Sequence, residues 1–125
     1  MNRAIRVPVR GNPHRALLGD LKDARGVPIL VSLLRDPDVN YIVPWSLGQI
    51  GDKSAIEPLI QTLNDRDPSM RVLATHALAE LKATESLPRI RQLLDDPARS
   101  NFGKLESVAE AAQAAIATLR SAAAH

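Results

Sequence analysis

Few residues in this chain offer a starting point for chemistry. It holds three histidines, no cysteine, and one each of tryptophan, tyrosine and phenylalanine. His76 and Glu80 stand four residues apart, a spacing that sets two side chains on one helical face and makes half of a metal site. A protein zinc site takes three or four protein ligands, and one histidine beside one acid falls short. The sequence therefore predicts no metal and no cofactor. Serine, histidine and acid residues occur, yet no spacing arranges them as nucleophile, base and orienting carboxylate. Gly48-Gln49-Ile50-Gly51 follows no strand, so it reads as a helix C-terminus rather than a phosphate loop. Asp95-Asp96 reads as a turn running into a helix cap. With no catalytic constellation, the expectation is that the chain is not an enzyme. What remains is Tyr41, Trp45 and Gln49, three residues on one helical face in a chain almost without aromatics.

The elements that carry these residues repeat. Pro28, Pro58 and Pro88 fall thirty residues apart, each followed at +2 by Leu30, Ile60 or Ile90 and at +5 by Leu33, Leu63 or Leu93. Asp36-Pro37, Asp67-Pro68 and Asp96-Pro97 keep nearly the same beat. A fixed period of about thirty residues marks a stacked repeat. The unit is best seen in Ser54–Lys82: a helix, a polar turn and a second helix.

First helices are predicted over about Val27–Arg35, Ala55–Asn64 and Glu85–Asp95, and second helices over about Pro37–Ile50, Pro68–Lys82 and Lys104–Arg120. The prolines at 28, 58 and 88 sit in first turns, where a missing N–H costs little. Ser54-x-x-Glu57 predicts a capping box, and each aspartate before proline suits the N-cap of a second helix. Pro44, well inside the first of the second helices, predicts a kink. The buried stripe is Val39, Val43, Ser46, Leu47 and Ile50, matched at an offset of 31 by Met70, Ala74, Ala77, Leu78 and Leu81. A further offset of 38 brings in Val108, Ala112, Ala115, Ile116 and Leu119, with the seven added residues in the loop Ala98–Lys104, which includes Phe102. Opposite this stripe, Tyr41, Trp45 and Gln49 lie beside Val72, His76 and Glu80, and then beside Glu110, Ala114 and Thr118.

The formal charge of +2 is unevenly placed. Residues 1–19 hold Arg3, Arg6, Arg10 and Arg15 with no acid, and the remaining twelve bases face fourteen acids. Residues 1–13 read as an extended or disordered basic tail. Residues 14–125 read as one repeat domain, with a half repeat at 14–22 and full units at 24–50, 54–82 and 84–120. Leu18–Pro28 overlays Leu78–Pro88 without a gap, so the chain opens on a second helix whose partner is missing. Its Leu17, Leu18 and Leu21 flank calls for a cover, either the tail or a second copy of the chain. No run approaches the roughly 18 apolar residues of a membrane span, and no secretory leader is visible, which predicts a cytoplasmic protein off the membrane.

Val39–Leu63, VNYIVPWSLGQIGDKSAIEPLIQTL, resembles the short HEAT-like repeat of the phycobilisome lyase type. Val39, Leu47, Gly48, Ile50, Gly51, Asp52, Pro58 and Leu59 carry the likeness, as do Arg71, Ala74, Ala77, Leu78 and Leu81 in the next unit. Asn40, Pro44 and Lys82-Ala83 depart from the pattern. The resemblance implies an all-α, right-handed α-solenoid of about three and a half stacked antiparallel helix pairs, a HEAT-like superhelix whose second helices line the concave face. It also implies an inter-repeat ladder in which Arg71 pairs with an aspartate of the inter-helix turn, Asp65 or Asp67.

Such folds mostly bind proteins, so the leading expectation is a non-catalytic protein-binding scaffold or adaptor. Its concave site would comprise Tyr41, Trp45, Gln49, Val72, His76 and Glu80, with Trp45 as anchor. Two alternatives stand beside it. One is a phycobilin lyase-like protein or lyase subunit. The other is a nucleic-acid-binding module, which Glu80 and Glu110 on the concave face argue against.

Overall fold

The computed structural model describes residues 24–100 and 106–123. Six α-helices make three pairs: α1 (Val27–Leu33) with α2 (Val43–Ile50), α3 (Ile56–Thr62) with α4 (Pro68–Glu80), and α5 (Leu87–Gln92) with α6 (Val108–Ala123). The second helix of each pair packs on the first, and α4 lies between α2 and α6. The result is a two-layer, all-α solenoid of stacked helix pairs, the stacked repeat that the thirty-residue period predicts. The basic tail at 1–13 and the half repeat at 14–22, with its possible contact to a second copy, lie outside the described residues, as does Phe102.

Every first helix is entered through a single 3₁₀ turn: Ala24–Gly26, Lys53–Ala55 and Thr84–Ser86. The cause is visible before α3. The Asp52 carboxylate accepts the Ser54 N–H at 2.8 Å and tightens the chain into the turn. This lowers the Asp52 pKa from its ordinary value, because the bonds from Ser54 favour the charged form. Ser54 is thereby committed, and the capping box expected with Glu57 does not form: α3 starts from Ala55 with no side-chain cap. A reciprocal box forms instead at α6. The Ser107 N–H donates to Glu110 Oε1 at 2.9 Å, and the Glu110 N–H donates to Ser107 Oγ at 3.0 Å.

The second helices differ more than their sequences suggest. Only α4 starts at its Asp-Pro pair, where Asp67 accepts the Ser69 N–H at 2.9 Å. After Asp36-Pro37 the chain passes through turns and the 3₁₀ segment Asn40–Ile42 before α2 begins at Val43. Pro44 thus stands in the first turn of α2, where its missing N–H breaks no helical bond, and the predicted kink is absent. After Asp96-Pro97 the chain forms an isolated antiparallel bridge between Arg99 and Ser107, which closes the base of the insertion.

The core is aliphatic. Leu30, Leu47, Leu59, Leu78, Ile90 and Leu119 are each fully buried and belong to one cluster. Small residues let the second helices approach closely. A Cβ on Gly48 would lie 3.5 Å from Ala77 Cα and 3.4 Å from Glu80 Cβ, so α2 and α4 meet at their backbones. Helix α4 ends in a Schellman motif, with the Ala83 N–H bonding to Leu78 O at 3.0 Å and the Lys82 N–H to Ala79 O at 3.0 Å. The motif holds Lys82 at φ 55°, the only non-glycine residue with positive φ among those described.

Candidate functional site

The close approach of α2 and α4 leaves a groove on their outer side. Trp45 and Gly48 of α2 and Leu73, His76, Ala77 and Glu80 of α4 line a cavity of about 280 Å³. Trp45 is 58% exposed and forms its wall, although large apolar side chains normally lie in the core. Gly48 and Ala77 give it a shallow floor because they carry almost no side chain. Above that floor, the indole face and Leu73 offer apolar surface, and Glu80 and His76 offer polar groups.

Of the expected concave residues, Trp45, His76 and Glu80 come together at this cavity. Tyr41, in the 3₁₀ segment Asn40–Ile42, and Gln49, on α2, are exposed but do not line it. Val72 is corrected: it is buried, packed in a small cluster with Val108 and Ala111. The insertion lets α6 start late, so its first turn covers Val72 and not the groove. Leu73 takes the place assigned to Val72. Its signal was available, since Leu73 is apolar, lies off the stripe and sits three residues before His76.

Glu106 is the other residue that sequence reasoning missed. His76 Nε2 lies 2.8 Å from Glu106 Oε1, a contact thirty residues apart in sequence that joins α4 to the start of α6. With Nε2 donating to this carboxylate, the other ring nitrogen, Nδ1, is not engaged by Glu106. Glu110 faces the same end of α6. The Ser107 N–H, followed by Arg99 at 3.9 Å, holds its carboxyl below the usual range.

The inter-repeat contact also differs from expectation. Arg71 takes its carboxylate from Asp96 of the next unit, Nε to Oδ2 at 3.0 Å, rather than from Asp65 or Asp67. Asp65 contributes its carbonyl, which accepts Arg71 Nη1 at 2.7 Å. Its carboxylate accepts the Asp67 N–H, and the Asp67 carboxylate accepts the Ser69 N–H and caps α4. Among the described residues, no group of three or more His, Cys, Asp or Glu side chains could hold a metal ion. No described helix is long and apolar enough to cross a membrane.

Comparison with known proteins defines the class of this fold. A family profile described as HEAT repeats matches residues 27–102, and the chain belongs to the HEAT-repeat family. Within it, the chain is 33% identical over 96 residues to the "Bilin biosynthesis protein PecE" of Mastigocladus laminosus, covering 71% of this chain and 36% of that protein. It is 34% identical over 96 residues to the protein of the same name from Nostoc sp. strain PCC 7120, covering 71% of this chain and 38% of that one. The chain thus spans little more than a third of the length of these curated relatives. They overturn the expectation of a non-enzyme, because both relatives are named for a biosynthetic role. The residues that line the groove form no familiar catalytic pattern.

Proposed function

We propose that this chain is a HEAT-repeat unit of the bilin lyase type, which holds a linear tetrapyrrole against the α2–α4 groove during its transfer to a protein thiol. The likeness to two bilin biosynthesis proteins carries the reading, and the groove supplies the place. A cavity of about 280 Å³ lies at the small end of ligand pockets, enough for part of an extended molecule. A pyrrole ring stacks on the Trp45 indole face, its edge rests on Leu73, and Glu80 accepts from pyrrole N–H groups.

The chain has no cysteine, so the acceptor thiol belongs to a partner protein. In the reaction, the thiol adds across an exocyclic carbon–carbon double bond of the bilin. A carbon–sulfur bond forms, the π bond is lost, and the thiol proton ends on the neighbouring carbon. His76, oriented by Glu106, is suited to take that proton from sulfur and return it to carbon. The exposed Tyr41 beside the groove suits the docking of the thiol-bearing partner.

Trp45 is the only tryptophan, so its fluorescence reports on the groove alone. Titration with biliverdin should quench that emission and shift the bilin absorption with the same midpoint, in the micromolar range. Adding N-acetylcysteine to phycocyanobilin in the presence of the protein should then give a blue shift from shortened conjugation, faster than in its absence. His76→Gln should slow that step without weakening binding. No quenching and no spectral shift at tens of micromolar would end this reading.

A further inference from the structure

We infer a second subsite, for a ligand carboxylate, in the cavity between the C-terminal end of α4 and the second half of α6, with Lys82 as its cation. The inference rests on the bilin reading and adds the part that the first groove leaves open. The α2–α4 groove presents Glu80 and, across His76, Glu106. Neither suits the propionate arms that a linear tetrapyrrole carries beside its pyrrole N–H groups. The carboxylates of such a ligand must be received elsewhere.

The second cavity has the needed chemistry. It is open, about 510 Å³ in volume, and is lined by Lys82, Ala117, Thr118, Ser121 and Ala122. Lys82 is the one charged residue among them, and it forms no ion pair within the described residues. Thr118 and Ser121 add hydroxyls. The Thr118 hydroxyl gives its proton to Ala114 O at 3.2 Å, so Ser121 is the hydroxyl that can donate to a carboxylate.

Position supports the pairing of the two cavities. Thr118 occupies the register in α6 that Glu80 holds in α4 and Gln49 in α2, so both cavities open along one row of second helices. Glu80 lines the first and Lys82 the second, two residues apart, within about 7 Å from Cα to Cα. A pyrrole seated by Glu80 therefore has its short propionate arm within reach of Lys82. The Schellman turn fixes where that side chain departs, because the Lys82 backbone is held in the left-handed region at φ 55°.

The test compares biliverdin with its dimethyl ester, which keeps the chromophore and loses both negative charges. Wild-type protein should bind the free acid about fivefold more tightly than the ester, a preference that falls as sodium chloride rises. Lys82→Gln and Lys82→Gly should bind the ester as wild type does and lose the preference for the acid. Lys82→Gly also suits the left-handed backbone, so a loss in both variants is not a loss of fold. Equal binding of acid and ester by wild type, or a preference that survives both substitutions, overturns the subsite and leaves the bilin reading standing. Failure of both ligands to bind removes the two together.

Discussion

Replacing Arg71 with alanine tests how the second and third repeats are joined. Its guanidinium reaches Asp96 through Nε at 3.0 Å and Nη2 at 3.5 Å, and the carbonyls of Asp65 and Arg66 through Nη1 at 2.7 and 3.1 Å. The Arg71 and Asp96 side chains are 16% and 21% exposed, so the ion pair is partly screened and should contribute about 0.5–1 kcal/mol. The charged bond to the Asp65 carbonyl is better sheltered and should add about 1.5 kcal/mol. The bond to Arg66 is exposed and adds little. Arg71→Ala should therefore cost about 2 kcal/mol in urea unfolding followed by far-ultraviolet circular dichroism. A double-mutant cycle with Asp96→Ala should return a coupling of about 0.5–1 kcal/mol, because the carbonyl bond lies outside the cycle. Arg71→Lys should recover only part of the loss, since an ammonium cannot bridge the carboxylate and two carbonyls at once. A cost below about 0.5 kcal/mol, or no coupling, would refute the reasoning and leave the repeats joined by packing alone.

Leu78, fully buried at the centre of the stack, should cost about 2–5 kcal/mol when cut to alanine, measured by the same unfolding assay. Lys82→Gly should raise stability by about 0.5–1 kcal/mol: relief of left-handed strain, about 1–2 kcal/mol, exceeds the added freedom of the unfolded glycine. Lys82→Ala should leave stability nearly unchanged, as alanine keeps the strain. The carboxyls of Glu110 and Asp52 both titrate below their ordinary values of 4.5 and 3.8, so what they contribute is complete above those values. It is lost as pH falls below them through the lowered folded values, and acid titration of Glu110→Gln should lack the part that belongs to the α6 cap.

The period of prolines and the Asp-Pro beat were enough to read three helix pairs and their buried stripes, because each amphipathic helix records its own buried side. Leu47, Leu78 and Leu119 are buried in turn, as their spacing predicts. Trp45, His76 and Glu80 were legible as neighbours for the same reason, since the two offsets place α2 and α4 side by side. Three features were not legible, one from a local competition and two from how the units are set against one another. Asp52 engages Ser54 and cancels the box with Glu57, a competition between two local bonds that sequence spacing does not rank. The insertion before α6 delays that helix, which buries Val72, opens the place for Leu73 and brings Glu106 to His76. Arg71 reaches across to Asp96 of the next unit, a contact that the spacing within one unit does not carry. Local patterning fixes what each helix hides. Only the stacking, in which a few residues of loop shift a whole neighbouring turn, decides which polar groups meet between units.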